Sequence, residues 1–146
     1  MCELGCGNRA ESFGHRVRKG QGGSWSPVNA VHLCGDGTRG EHGLLTSYPT
    51  LARAGGWEVD ADADPETVPV WLVTPEGASW WLLTHDEHGH IRTWVDPDDY
   101  GLPERPVMPR EFVTHARAAR VARAAEDDAA LAAIHDAQAA TMAVAL

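Results

Sequence analysis

The stretch from residue 13 to residue 56 constrains the fold more than any other part of this 146-residue chain. It reads FGHRVRKGQGGSWSPVNAVHLCGDGTRGEHGLLTSYPTLARAGG. Two strand-like runs enclose a Gly/Ser-rich loop, and helix-like segments follow the second run. This order predicts a ββα unit. Such a unit is too small to be stable through apolar burial alone, so we expect a bound metal to stabilise it.

Local signals place the elements of this unit. Apolar and polar residues alternate over 12–18, which predicts a short strand, and 29–34 predicts a second one. The GDGTRG turn precedes a helix predicted over 41–47, with an acidic residue in its first turn. Proline is tolerated in the first turn of a helix, so we expect a second helix from Pro49 to the glycine pair at 55–56.

Three cysteines indicate a metal site rather than disulfides. Cys2 and Cys6 form a C-x3-C knuckle, a spacing that lets two thiolates reach one tetrahedral zinc ion. Cys34 is remote, and three cysteines cannot all pair within the chain. The first residues lack the basic flank and apolar block of a secretory signal, and no apolar run approaches the ~20 residues of a membrane helix. We therefore expect a cytoplasmic protein without a membrane partner.

The formal net charge of −9 argues, taken alone, against a nucleic-acid partner. Its distribution changes that expectation. Residues 1–57 carry six basic against four acidic residues, whereas 58–108 carry two against twelve. Four of the basic residues lie between positions 9 and 19. A phosphate backbone would be attracted to that region and repelled elsewhere.

The rest of the chain divides by composition. The acidic run over 58–68 includes EVDADADPE, but it lacks the central glycine and terminal glutamate of a calcium loop, so we interpret it as a solvated linker. The β-rich runs VPVWLVT, SWWLLTH and HIRTWV predict an antiparallel meander over 69–96. A Pro-rich connector covers 97–109, and the alanine-rich run 110–146 predicts a helix.

Three features of this second part have alternative interpretations. The tryptophans of the meander could stack on nucleobases, but aromatic residues of short strands favour a core role. His85, His88 and His90 cluster at the second turn, where an exposed polar hairpin tip is favoured over a metal site. The C-terminal helix could pack on the meander, pair with a second copy of the chain or dock on a protein partner.

These motifs resemble those of the HNH, or ββα-metal, endonucleases, and in particular of small proteins from actinobacterial phages. The shared features are a cysteine knuckle, a histidine-arginine strand with a glycine-rich loop, an N-x-x-x-L-C segment and a G-x-x-G-x-H-G stretch. Here they read CELGC, GHRVRKGQGGSW, NAVHLC and GTRGEHGLL. The resemblance covers roughly residues 2–95. It implies an α+β fold, with a zinc-stapled ββα-metal core over 1–57 followed by the meander; the C-terminal helix lies outside it.

The resemblance implies that the protein hydrolyses phosphodiester bonds of double-stranded DNA in the cytoplasm of a phage-infected cell. His15 would be the general base, and Asn29 would orient it or tie the loop. His42 would hold a divalent ion such as Mg²⁺, which polarises the phosphate and stabilises the leaving oxygen.

The resemblance also implies a structural zinc site and contacts with the DNA backbone. Thiolates and a carboxylate bind zinc, and basic side chains bind phosphate. The zinc ligands would be Cys2, Cys6, Cys34 and Glu41. The residues that hold the backbone would be Arg16, Arg18 and Lys19.

Two positions depart from the family pattern. The family usually places a second metal ligand immediately before the base, where this chain has Gly14. The catalytic ion would then depend on His42, a neighbour such as Glu41 or Glu11, and phosphate oxygens. Glu41 itself stands where the family usually has a fourth zinc cysteine. The alternatives to a nuclease are a catalytically reduced HNH-like module that binds a protein, and a structural phage component.

Overall fold

The computed structural model describes residues 1–108 and three single alanines further along, Ala125, Ala129 and Ala133. Apart from these three, the helix predicted over 110–146 lies outside the described residues, as does its predicted role in binding a partner. The described part contains helices and two small antiparallel sheets, so it is a mixed helix and strand protein. None of its helices is long and apolar enough to cross a membrane.

The first sheet is a two-stranded hairpin. Its strands β1 (Ser12–His15) and β2 (Ala30–Leu33) are antiparallel, with His15 opposite Ala30. The first strand is shorter than predicted because its backbone hydrogen bonds to the second strand end at Arg16, one residue beyond it. At the next residue, the N–H and C=O of Val17 bond to the side chain of Asn29 instead of to a backbone partner.

Two short helices follow the hairpin, close to the predicted positions. Helix α1 spans Gly40–Ser47 and helix α2 spans Pro49–Ala54. Pro49 occupies the first helical position, where no backbone N–H is needed. Helix α1 has no side-chain cap at its first turn. The Sγ and the carbonyl oxygen of Cys34 accept two of its free N–H groups instead.

The second sheet is the predicted antiparallel meander. It consists of β3 (Val70–Thr74), β4 (Gly77–Asp86) and β5 (Gly89–Trp94), in that order across the sheet. The core role predicted for the tryptophans is confirmed for Trp80, which is 1% exposed. It is wrong for Trp94, which lies on the edge strand β5 and is 56% exposed.

Both sheets pack on one hydrophobic core. The three cysteines lie in this core, together with Val31 and Leu33 from the hairpin and Leu72 from the meander. Trp57 joins the same core and donates its indole N–H to the carbonyl of Trp71, at 2.6 Å. The β-hairpin, the helices and the meander are therefore held together around the thiols.

The acidic segment 58–68 differs from the solvated linker predicted for it. Its first residues, Glu58 and Val59, are buried at 8% and 5% exposure. The carbonyls of Pro65 and Val68 accept hydrogen bonds from the guanidinium of Arg16. The segment is therefore held against the rest of the fold at both ends: Glu58 is buried at its start, and Arg16 of the hairpin binds the carbonyls near its end.

Candidate functional site

The predicted zinc ligands lie together in one buried cluster, which confirms that part of the prediction. The Sγ atoms of Cys2, Cys6 and Cys34 and a carboxylate oxygen of Glu41 all lie within 4.8 Å of one another. Cys2 Sγ is 2.7 Å from Glu41 Oε2, and Cys6 Sγ is 3.5 Å from Cys34 Sγ. We call these four residues the thiol–carboxylate cluster.

The surroundings of the cluster favour a thiolate at Cys34. Backbone N–H groups of Asn8 and Glu41 point at the sulfurs of Cys6 and Cys34, each at 3.5 Å. Contacts with the sulfurs of Cys2 and Cys6 lower the pKa of Cys34 to about 2. The contact with Cys34, followed by those with Cys6 and by burial, raises the pKa of Cys2. Of the three sulfurs, that of Cys34 is therefore the one whose contacts favour the charged form.

The cluster has the donors and the spacing that a tetrahedral metal site needs. A Zn–S bond of ~2.3 Å in a tetrahedron places ligand atoms about 3.8 Å apart, close to the separations in this cluster. All four residues are buried. Three thiols and one carboxylate without a cation would leave several acidic groups in a low-dielectric interior, which is costly. These residues could therefore hold a metal ion.

A cleft of about 240 Å³ lies beside the hairpin and α1. It is lined by His15 from β1 and His42 from α1, with Arg18 and Lys19 at its basic side. We call it the imidazole cleft. The two histidines, 27 positions apart in sequence, reach one cavity because β1 packs against α1.

The ring of His42 is oriented by a neighbour that the sequence did not reveal. Its Nδ1 is 2.9 Å from the hydroxyl of Ser12, which in turn lies 3.4 Å from the carbonyl oxygen of Leu33. With Nδ1 donating to Ser12, the lone pair of Nε2 stays available for a cation. Burial lowers the pKa of His42, so the neutral, ligating form is favoured.

His15 packs against an aromatic residue of the glycine-rich loop. Its ring lies edge-on to Trp25, with the centroids 4.4 Å apart. Within residues 1–108 its buried Nε2 has no hydrogen-bond partner. Nε2 could therefore not reach a water in the cleft without a rearrangement of the ring.

Asn29 is 1% exposed and does not line the cleft. Its Oδ1 accepts from the Val17 N–H at 2.6 Å, and its Nδ2 donates to the carbonyls of Val17 and Ser24 at 3.0 and 2.9 Å. The resemblance implies that Asn29 either orients His15 or holds the loop in place. Its hydrogen bonds with Val17 and Ser24 are those of a residue that holds the loop.

The three basic residues predicted to bind DNA lie in different environments. Arg16 is completely buried and donates to the carbonyls of four residues, so its prediction as a phosphate ligand is wrong. Burial lowers its pKa to about 10. Arg18 is exposed but forms an ion pair with Glu58 at 2.6 Å. Lys19 is exposed, and its Nζ lies 5.0 Å above the ring of Trp25.

The two acids considered for the catalytic ion point elsewhere. Glu41 belongs to the thiol–carboxylate cluster, and Glu11 accepts from the N–H of Gly35 at 3.2 Å. Among the described residues, the cleft brings no third His, Cys, Asp or Glu into ligand distance of its histidines. Gly14 also lines the cleft, and a Cβ there would lie 2.6 Å from Cδ1 of Leu33. The position therefore offers no side-chain ligand, and a larger residue would displace Leu33.

Fold and site together define a protein of mixed helix and strand, in which a buried cluster that could hold a metal ion lies next to a two-histidine cleft. Comparison of the chain with models of known families, with curated proteins and with solved structures finds no match.

Proposed function

We propose that this protein is a small endonuclease of the HNH, or ββα-metal, type, which hydrolyses DNA with the help of a divalent ion. The single observation that carries the proposal is that His15 from a strand and His42 from the following helix line one cleft. The strand–strand–helix order and the adjoining thiol–carboxylate cluster support it. We also propose that the ion in this cluster is zinc, because thiolates favour it over harder cations.

The residues of the cleft have the chemistry that hydrolysis needs. A neutral imidazole at His15 would take the proton of the attacking water, a contribution of ~10²–10⁴-fold in rate. His42, oriented by Ser12, would hold the divalent ion through Nε2. Such an ion, when bound, neutralises charge on the phosphate. Arg18 and Lys19 would hold the DNA backbone.

The donor set also indicates which ions should support activity. Mg²⁺ prefers oxygen ligands and usually takes one or two carboxylates, whereas imidazole suits Ni²⁺, Zn²⁺ and related ions. The described part of the cleft supplies two imidazoles and one carboxylate, and that carboxylate, Glu58, is paired with Arg18 and Arg53. With His15 as the base, His42 is the ligand left for the ion. We therefore expect Ni²⁺ to support cleavage better than Mg²⁺ does.

The test is nicking of supercoiled plasmid by zinc-loaded protein, with Ni²⁺, Mn²⁺, Mg²⁺ or no added ion. His15→Ala is expected to lower the nicking rate by ~10²-fold or more, because it removes the base. His88→Ala is the matched control, since this histidine is exposed on the turn of the meander. Equal ion-dependent nicking by wild type and His15→Ala would contradict the proposal and indicate a contaminating nuclease.

The second candidate is an HNH-like domain that binds DNA or protein without cutting, and Gly14 favours it. Gly14→Asp, in a Leu33→Val background that removes the close Cδ1, should supply the missing oxygen ligand. If the native protein is a nuclease, it nicks DNA with Mg²⁺, and we expect the variant to nick DNA faster than the native protein does. Nicking by the variant alone, with none by native protein or Leu33→Val, would establish the non-cutting candidate.

A further inference from the structure

A second concavity of about 460 Å³ lies on the other side of the hairpin, between it and the meander. We call it the aromatic groove. Its lining includes Phe13, Trp25, His32, Ile91 and Arg92. Trp25 is 67% exposed and Phe13 53% exposed, although both are large apolar side chains. Exposed aromatic rings that flank a groove are typical of a binding surface.

The groove borders the imidazole cleft. Phe13 lines both cavities. The ring of Trp25 lines the groove and also packs against His15, which lines the cleft. A chain that placed one phosphate beside His15 would therefore bring a neighbouring unit of the same chain against Trp25.

The charge around the groove favours a nucleotide over an apolar peptide. Lys19 lies over the Trp25 ring, and two histidines contribute to the lining. Arg92 also lines the groove, but its charge is paired with the carboxylate of Glu3. Among the described residues that line the groove there is no Asp or Glu. A stacking surface with a lysine at its rim matches an unpaired nucleobase and its phosphate. In a duplex the base faces are covered by their neighbours and could not reach these rings.

We propose that the aromatic groove binds an unpaired nucleobase next to the phosphate that is cut, with Trp25 and Phe13 as the stacking residues. The preferred substrate is then DNA with unpaired nucleotides, which negatively supercoiled plasmid supplies locally. This proposal rests on the proposed nuclease function for the position of the cut, while base binding itself is tested without cleavage.

The experiment measures equilibrium binding of labelled oligonucleotides to zinc-loaded protein, by fluorescence anisotropy without further added ions. Three DNAs of matched length are compared: a single strand, the same strand with abasic central positions, and the duplex. Wild type is expected to bind the single strand about tenfold more tightly than the abasic strand, because stacking on each base contributes that much. Trp25→Ala should reduce this difference to the part that Phe13 contributes, through weaker binding of the normal single strand and not of the abasic strand.

Trp94→Ala is the matched control, since Trp94 is exposed to a similar degree on β5 and lies outside the groove. It should behave as wild type. Equal binding of the normal and abasic strands by wild type would overturn the inference, as would an equal loss for all three DNAs in Trp25→Ala. If wild type binds the normal and abasic strands equally and its nicking depends on His15, base binding in the groove is overturned and the proposed nuclease function stands. Base discrimination through Trp25 without such nicking overturns the nuclease and leaves a base-binding groove.

Discussion

Cys34→Ser is expected to abolish zinc binding and to lower the unfolding temperature by on the order of 10 °C. Cys34 contributes a sulfur to the thiol–carboxylate cluster and is 4% exposed. Its Sγ accepts the N–H of Glu41, and its carbonyl accepts that of His42, so it also caps helix α1. Loss of the ligand therefore affects the metal, the core and the start of the helix together.

The measurements are zinc content by elemental analysis and thermal unfolding of the same samples. Glu41→Cys is the matched variant, because it replaces the oxygen ligand by a fourth thiolate. It should keep one zinc per chain and release it more slowly to a competing ligand. A native protein without zinc, or a Cys34→Ser variant that retains one zinc per chain, would show that the cluster is not the metal site.

Arg16→Met is expected to lower the free energy of unfolding by about 3 kcal/mol or more. The buried guanidinium donates to the carbonyls of Gly56, Val28, Pro65 and Val68, at 2.8, 3.3, 2.7 and 2.6 Å. Methionine fills a similar volume but donates no hydrogen bond. Buried carbonyls would be left without partners, and the attachment of segment 58–68 to the hairpin would be lost.

Arg18→Met is the matched control for this prediction. Arg18 is two positions away, and its side chain is 45% exposed, so its loss should change the free energy of unfolding by less than 1 kcal/mol or so. Urea unfolding measures both variants, and DNA binding is measured in parallel. If Arg16→Met unfolds like wild type but binds DNA more weakly, Arg16 faces the DNA and its buried position is wrong.

Elements with local signals were predictable from the sequence. Helix α2 begins at Pro49 and ends before a glycine pair, and the three strands of the meander follow β-rich runs. The C-x3-C spacing also made a shared metal site of Cys2 and Cys6 predictable, whereas the place of Glu41 in the cluster followed from the resemblance. In these cases neighbours in sequence, or a strict chemical requirement, determine the structure.

Features that depend on distant contacts were not predictable. Nothing in the sequence around Arg16 distinguishes it from Arg18, yet its partners lie at 28, 56, 65 and 68. The same holds for Glu58, which reads as part of a solvated run but binds Arg18 and Arg53. In a segment of alternating basic residues, contacts with the rest of the folded chain determine which side chain is buried and which is exposed.

In the cleft, the resemblance singled out both histidines but not the residues that surround them. Ser12 orients His42, and Trp25 packs on His15. A serine at the start of a strand and a tryptophan in a glycine-rich loop carry no signal of their own. Their roles arise from the pairing of β1 with β2 and from the packing of α1 on the hairpin.

Glu41 and His42 are consecutive residues of α1, but the first belongs to the buried cluster and the second to the open cleft. A chelator should therefore inhibit the proposed nuclease by two routes with different time courses. Withdrawal of an ion from the open cleft should be fast and reversed by adding that ion back. Extraction from the buried cluster should be slow, and only zinc followed by refolding should reverse it.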